Sequence, residues 1–174
     1  YPIYCRKRED GPEVTILDVN ELGKGKKFID VEMTLPSDDG NLLAYLVDTT
    51  GFRQYTLKIR DLRTGKDLKE AIERVDAFAI APDNRTILYV TEDQETKRAN
   101  KLFRHHLGDD TKADPLVYEE TDETFSLDVD RTRSGAYFLA TAFSATTSEV
   151  RYLDAKTPDA AFSVVRPRKP GHEY

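Results

Sequence analysis

Between positions 31 and 166 the apolar residues run three times through one pattern. Each round opens on a segment in which apolar positions alternate with polar ones: Val31, Met33 and Leu35; then Val75, Ala77 and Ala79, with Phe78 and Ile80 between and beyond them; then Phe125, Leu127 and Val129. A period of two puts alternate side chains on one face of a strand. A turn follows each time, at Ser37-Asp38-Asp39-Gly40, Pro82-Asp83-Asn84 and Arg133-Ser134-Gly135, with the residues that tolerate turn geometry. Next comes a nearly unbroken apolar run: Leu42 to Val47, Ile87 to Val90, and Ala136 to Ala140. A strand apolar on both faces has to be covered on both. A third, alternating strand is expected at Tyr55, Leu57 and Ile59, at Leu102 to Leu107, and at Val150 to Leu153. The fourth is weakest, at Leu68 to Ile72, Leu116 to Tyr118, and Phe162 to Val165.

Gly40, Asn84 and Gly135 are separated by 44 and 51 residues, and Arg60-Asp61-Leu62-Arg63-Thr64-Gly65 is answered by His105-His106-Leu107-Gly108 after 43. Those intervals suit a four-stranded β-propeller blade. The pattern therefore predicts an all-β fold, about three and a half four-stranded antiparallel blades of a propeller. Residues 1–19 read as the last strands of a truncated blade, with Glu9-Asp10-Gly11-Pro12 as the turn between them. Residues 20–30 read as a polar crossover with room for one helical turn. Blades are expected over 31–74, 75–123 and 124–166, and residues 167–174 as the start of a further one. The segment Thr64 to Arg74 is ambiguous, because Leu68, Ala71, Ile72 and Val75 also fit helical spacing; the repeat favours a rim strand.

Composition narrows the class. The chain has 174 residues, 39% hydrophobic and 33% charged, as expected of one soluble domain. No apolar run approaches membrane-spanning length, and no basic stretch followed by an apolar core opens the chain. Starting at Tyr1 directly in a strand-like run, the sequence reads as cut from something longer. A single cysteine, Cys5, allows no internal disulfide and suits a reducing compartment, so a cytoplasmic location is expected. The net charge of −6 argues against nucleic acid as a partner.

Catalytic chemistry is hard to find. No Gly-x-Ser-x-Gly elbow occurs. Cys5 has no histidine near it in sequence, which reads as a buried or idle thiol rather than a nucleophile. His105, His106 and His172 lack zinc-ligand spacing, and adjacent strand residues point to opposite faces. Gly23-Lys24-Gly25-Lys26-Lys27-Phe28 carries phenylalanine where a phosphate loop needs its last glycine. Asp38-Asp39-Gly40-Asn41 lacks the ordered ligands of a calcium loop and reads as a tight turn. Asn84-Arg85-Thr86 matches a glycosylation sequon, and Lys97-Arg98 and Arg166 to Lys169 read as solvated basic surface. No catalytic residue, metal or cofactor is implied.

Several segments resemble the propeller of the oligopeptidase B (protease II) family, within the prolyl oligopeptidase group of serine peptidases: Asp48-Thr49-Thr50-Gly51-Phe52-Arg53-Gln54-Tyr55, Asp114-Pro115-Leu116-Val117-Tyr118-Glu119-Glu120, Ala145-Thr146-Thr147-Ser148-Glu149-Val150-Arg151, and the closing Arg166-Pro167-Arg168-Lys169-Pro170-Gly171-His172-Glu173-Tyr174. The resemblance runs the whole chain. It implies a seven-bladed propeller capping an α/β-hydrolase domain, the partner within the parent chain, which cleaves short basic peptides after Arg or Lys. This segment would be roughly the first half of that propeller, and no member of the Ser-Asp-His triad can be carried onto it. A ring of blades admits flexible peptides and excludes folded proteins.

Within that frame Glu32, Asp76, Asp128 and Asp130, on the innermost strands, are candidates to line the channel and attract cationic peptides; the competing reading has them solvated or paired with Arg and Lys of adjacent blades. Glu149, Arg151 and Glu173 are candidates for contact with the hydrolase domain or substrate; the competing reading makes them strand-end salt bridges that tie blades together. An alternative function is a propeller fragment serving as a protein-interaction platform, against which the absence of tryptophan, and so of a Trp-Asp blade ending, counts. The segment in isolation is expected to self-associate through its uncovered blade faces.

Overall fold

The computed structural model describes residues 1–174. Strands β1 (Ile3–Arg6) and β2 (Val14–Asp18) form an antiparallel hairpin. A single helical turn, α1 (Val19–Leu22), follows, and the Asp18 carboxylate caps it by accepting from the Asn20 N–H, as short polar side chains do at helix starts. Three four-stranded sheets complete the chain: β3 (Asp30–Pro36), β4 (Leu42–Asp48), β5 (Thr56–Asp61) and β6 (Lys66–Glu73); β7 (Val75–Ile80), β8 (Thr86–Glu92), β9 (Ala99–His106) and β10 (Leu116–Glu119); β11 (Ser126–Arg131), β12 (Tyr137–Phe143), β13 (Ser148–Asp154) and β14 (Ser163–Val164). In every sheet the strands lie side by side in chain order and pair antiparallel.

The turns that mark the repeat are the same object built three times. Gly40, Asn84 and Gly135 all have positive φ, at 68°, 56° and 73°, a conformation open to Gly and tolerated by Asn. Each donates its N–H three residues back, to Ser37, Ala81 and Thr132. The first residue of each turn then donates across to Leu42, Thr86 or Tyr137. A further bond recurs where the third strand ends, from Leu62 to Asn41, Leu107 to Arg85, and Ala155 to Ala136. The ambiguous segment 64–74 is strand, not helix, over Lys66–Glu73, because pairing with β5 satisfies its backbone: Leu57 faces Ile72 and Lys58 faces Ala71.

On the first strands of the sheets the expected alternation slips at two points. In β3 the register skips between Glu32 and Thr34, and Met33 has φ 46°; in β7 it skips between Val75 and Ala77. One extra residue in a strand is a β-bulge, which bends the strand and re-aims its side chains. Sequence periodicity cannot locate such a residue.

The chain forms two compact units, 1–73 and 74–174. In the first, Leu17, Val19 and Ile29 pack with Leu43, Tyr45 and Val47 of β4. In the second, Ala77, Ala79 and Ala81 and then Leu88, Val90 and Leu102 pack against Leu127, Val129, Phe138, Ala140 and Ala142 of the last sheet. Alanines on the inner strands let β7 and β11 approach closely, while larger groups fill the space further out, as dense packing requires. Both faces of the apolar runs in β4 and β8 are buried. In β12 only Phe138, Ala140 and Ala142 are; Tyr137 and Phe143 stay 44% exposed, so the expected two-sided cover is absent there. Residues 167–174 form no strand. They turn back onto the start of β13, with Gly171 donating to Thr147 Oγ1, Tyr174 to Ser148 Oγ, and Ser148 to the His172 carbonyl.

Candidate functional site

The carboxylates proposed for the channel lie exposed on the innermost strands, in three small groups. On β11, Asp128 and Asp130 share the face opposite Leu127 and Val129. Each accepts from the next backbone N–H, Val129 at 2.8 Å and Arg131 at 2.6 Å. Though the side chain reaches solvent, the protein packed around it strips part of its water and raises the Asp128 pKa above the ordinary aspartate range, and the Asp130 charge adds to it. On β7, Asp76 sits at the bulge, and its charge reaches Glu92 of β8. The Glu92 pKa is raised by burial first and by Asp76 second, against the opposing pull of Lys97 and Arg74. In the first unit, Tyr55 donates to Asp30 at 2.7 Å. Its pKa is raised by burial and by hydrogen bonds to Asp30 and Glu32. Asp30 and Glu92 were not singled out by sequence. Asp30 could have been, standing two positions from Glu32 on the same strand.

Glu149 and Arg151 meet in a separate network within the second unit. Arg151 Nη2 donates to Glu149 Oε1 at 2.7 Å and lies 3.5 Å from the Tyr118 hydroxyl, with its guanidinium 4.3 Å above the Tyr118 ring. Tyr118 donates to Glu120 Oε2 at 3.0 Å. The same oxygen receives Arg168 Nη2 at 2.5 Å, while the Arg168 backbone N–H reaches Glu149 Oε2 at 3.1 Å. The Arg168 guanidinium stacks 3.7 Å above Phe125. Arg98 closes the network by donating to the carbonyls of Glu120, Asp122 and Phe125. Burial pushes the Glu120 pKa up, but the bonds from Arg168, the Asp122 N–H and Tyr118 outweigh it and hold it below the usual range. With Glu149 and Glu120 buried and paired, this geometry fits the strand-end tie between adjacent sheets. Glu173 is exposed and lies outside it.

A second motif was missed by the sequence reading. In the first sheet Tyr45 donates to Asp67 at 2.9 Å, and Arg60 Nε donates to the other Asp67 oxygen at 2.8 Å. In the next sheet Tyr89 donates to Asp114 at 2.8 Å, and His105 Nδ1 lies 2.8 Å from the other Asp114 oxygen. The strand registers make these residues equivalent, and the third sheet carries Ala140 and Leu153 at the same places. The signal was present: both Tyr and Asp recur at nearly one repeat length. His106 points elsewhere, to Thr86 at 3.0 Å and Asp159 at 3.0 Å. Asp159, in the loop before β14, also faces Arg104. Cys5 is exposed rather than buried. The Asp48 carboxylate, in the family-like segment, accepts from the N–H groups of Thr50, Gly51 and Arg53 and so organises the turn after β4.

Three meandering antiparallel sheets with repeated turns define a stretch of β-propeller blades. Residues 1–174 match the prolyl oligopeptidase N-terminal β-propeller domain, and the chain belongs to that family. It is 35% identical to the dipeptidyl aminopeptidase BI of Pseudoxanthomonas mexicana and 34% identical to protease 2 of Moraxella lacunata, matching in full but spanning only 26% of either relative. Among solved structures, oligopeptidase B from Leishmania major superposes with a TM-score of 0.90 at 31% identity, over 97% of this chain and 25% of that one. Oligopeptidase B from Trypanosoma brucei gives 0.84 at 30% identity, over 98% and 25%.

Proposed function

We propose that this chain is the non-catalytic segment through which a serine oligopeptidase gates and filters short peptides, the whole protein cleaving after Arg or Lys in a separate α/β-hydrolase domain. The observation that carries the reading is the likeness of 97% of this chain to a quarter of oligopeptidase B from Leishmania major, at a TM-score of 0.90. The acidic inner strands give it a physical basis. Asp128 lies beside Asp130 and Glu92 within reach of Asp76, each like charge raising its neighbour's pKa, and an acidic surface concentrates positively charged ligands. Apolar side chains of the last sheet, Tyr137, Phe143, Tyr152 and Val164, are each more than a third exposed; a following blade would cover them, and in the isolated segment they would drive self-association.

The test is Asp128→Asn combined with Asp130→Asn in the full-length protein. At low salt kcat/KM should fall several-fold for peptides carrying two or more basic residues. It should change little for a substrate with one, and the difference should vanish at high salt. Equal kinetics for both substrates at low salt would remove these carboxylates from the filter.

A further inference from the structure

Strand β1 ends at Arg6, so Lys7 and Arg8, which follow it, are released from the alternation of a strand. All three line one cavity of about 640 Å³, between the turn of the first hairpin and the turn that joins β3 to β4. Val14 lines it on the hairpin side, and Asp39 and Gly40 on the other. Arg6 Nη1 donates to the Gly40 carbonyl, tying together two turns 34 residues apart in the chain.

The charges in this cavity are not matched. Apart from the Arg6–Gly40 bond, the side-chain N–H groups of Arg6, Lys7 and Arg8 have no acceptor in the protein, and none of the three is in an ion pair. Carboxylates close by in sequence are not used: Glu9, Asp10 and Glu13 neither line the cavity nor pair with its cations. Its one acidic group, Asp39, is engaged within its own turn. It accepts from Ser37 Oγ at 2.6 Å, the Asn41 N–H at 2.9 Å and Asn41 Nδ2 at 2.8 Å. Like charges gathered around a concave surface favour a ligand of opposite sign, and guanidinium groups match phosphate and carboxylate oxygens with paired N–H donors. A merely solvated basic face needs no second segment; this one is completed by the β3–β4 turn. Its volume is that of a small-molecule site and leaves room for several oxyanion groups.

We propose that this cavity binds a small polyanion, a short polyphosphate or a polycarboxylate, through Arg6, Lys7 and Arg8. The chain as a whole, at a net charge of −6, repels such a ligand at long range, so binding comes from direct contact with these three side chains. The site lies at the opposite end of β3 from Asp30 and does not rest on the peptide filter.

The experiment is titration calorimetry of the full-length protein at low salt with tripolyphosphate and with citrate, which tell phosphate from carboxylate recognition. At least one of them should bind with a Kd tighter than about 1 mM, and Lys7→Gln with Arg8→Gln should weaken it at least about tenfold. Lys26→Gln with Lys27→Gln removes the same charge from exposed positions elsewhere in the first unit and should leave the affinity within about twofold. Hydrogen exchange of the wild type locates the ligand: a saturating concentration should slow the amides of residues 7–14 and 38–42. Should the Lys7→Gln, Arg8→Gln variant fail to fold, that protection still decides. Absence of binding by both anions at about 1 mM, an equal loss in the two double variants, or protection confined to other segments would overturn the proposal.

Discussion

Two equivalent clamps, differing in one residue and in burial, allow a comparison inside a single protein. Removing Asp114 by Asp114→Ala strands the Tyr89 hydroxyl and His105 Nδ1, on side chains that are 3% and 0% exposed. Each buried polar group left without a partner costs about 1–3 kcal/mol, so the two together cost about 2–6 kcal/mol. Asp67→Ala removes the same acceptor in the first sheet. There Arg60 and Asp67 keep 17% and 26% of their side-chain surface in water, and the freed guanidinium can turn to solvent or to Tyr45. The loss should be nearer 1–2 kcal/mol, about the cost of one hydrogen bond. The assay is native-state hydrogen exchange on the strand amides, which reads the two strand pairs separately. Asp114→Ala should speed exchange in β8 and β9 by roughly a hundred- to a thousand-fold, and Asp67→Ala should speed β4 and β5 by roughly tenfold. Equal acceleration, or a larger effect at Asp67, would refute the argument that burial sets the difference.

Three further outcomes follow from charge and backbone geometry. Glu120 has a depressed pKa in the fold, so its contribution is present above the unfolded value near 4.3 and lost as pH falls through the folded one; exchange protection of β10 and β13 should drop in acid below about pH 4, and Glu120→Gln should flatten that profile. Asp128 has a raised pKa, so its ionisation opposes folding as pH rises above the unfolded value near 3.9; Asp128→Asn should raise the melting temperature at pH 7 and make no difference near pH 3. Gly40→Ala places a Cβ at φ 68° with nothing closer than 3.6 Å, so the cost is conformational, about 1–2 kcal/mol, visible as a fall in melting temperature, whereas Asn84→Gly at the equivalent turn should be neutral or slightly stabilising.

The fold was legible because propeller blades write themselves into local pattern. A meander needs only neighbouring strands and turns, and the turn residues Gly40, Asn84 and Gly135 announce a left-handed conformation that few residues accept. The β6 segment was ambiguous because Leu68, Ala71 and Ile72 satisfy two periods at once, and only its partner β5 decides between them. The bulges at Met33 and Asp76 left no trace in the pattern, since an extra residue shifts the register without changing composition.

The site was legible only where one strand carries it. Asp128 and Asp130 stand two apart and had to share a face, and Glu149 and Arg151 likewise. What sequence could not supply is which distant groups meet them: Glu120, Tyr118 and Arg168 come from three separate segments, and their meeting depends on how two sheets pack. That packing also changes what the residues mean. Arg151 alone looks available to a substrate or a second domain. Held by Glu149 and stacked on Tyr118, it also links β13 to β10. The acidic inner strands are the opposite case. There Asp130 raises the pKa of Asp128 and Asp76 that of Glu92, like charge beside like charge. A carboxylate whose neighbour shares its charge gains from any cation that arrives, which is what the filter proposed for these strands requires.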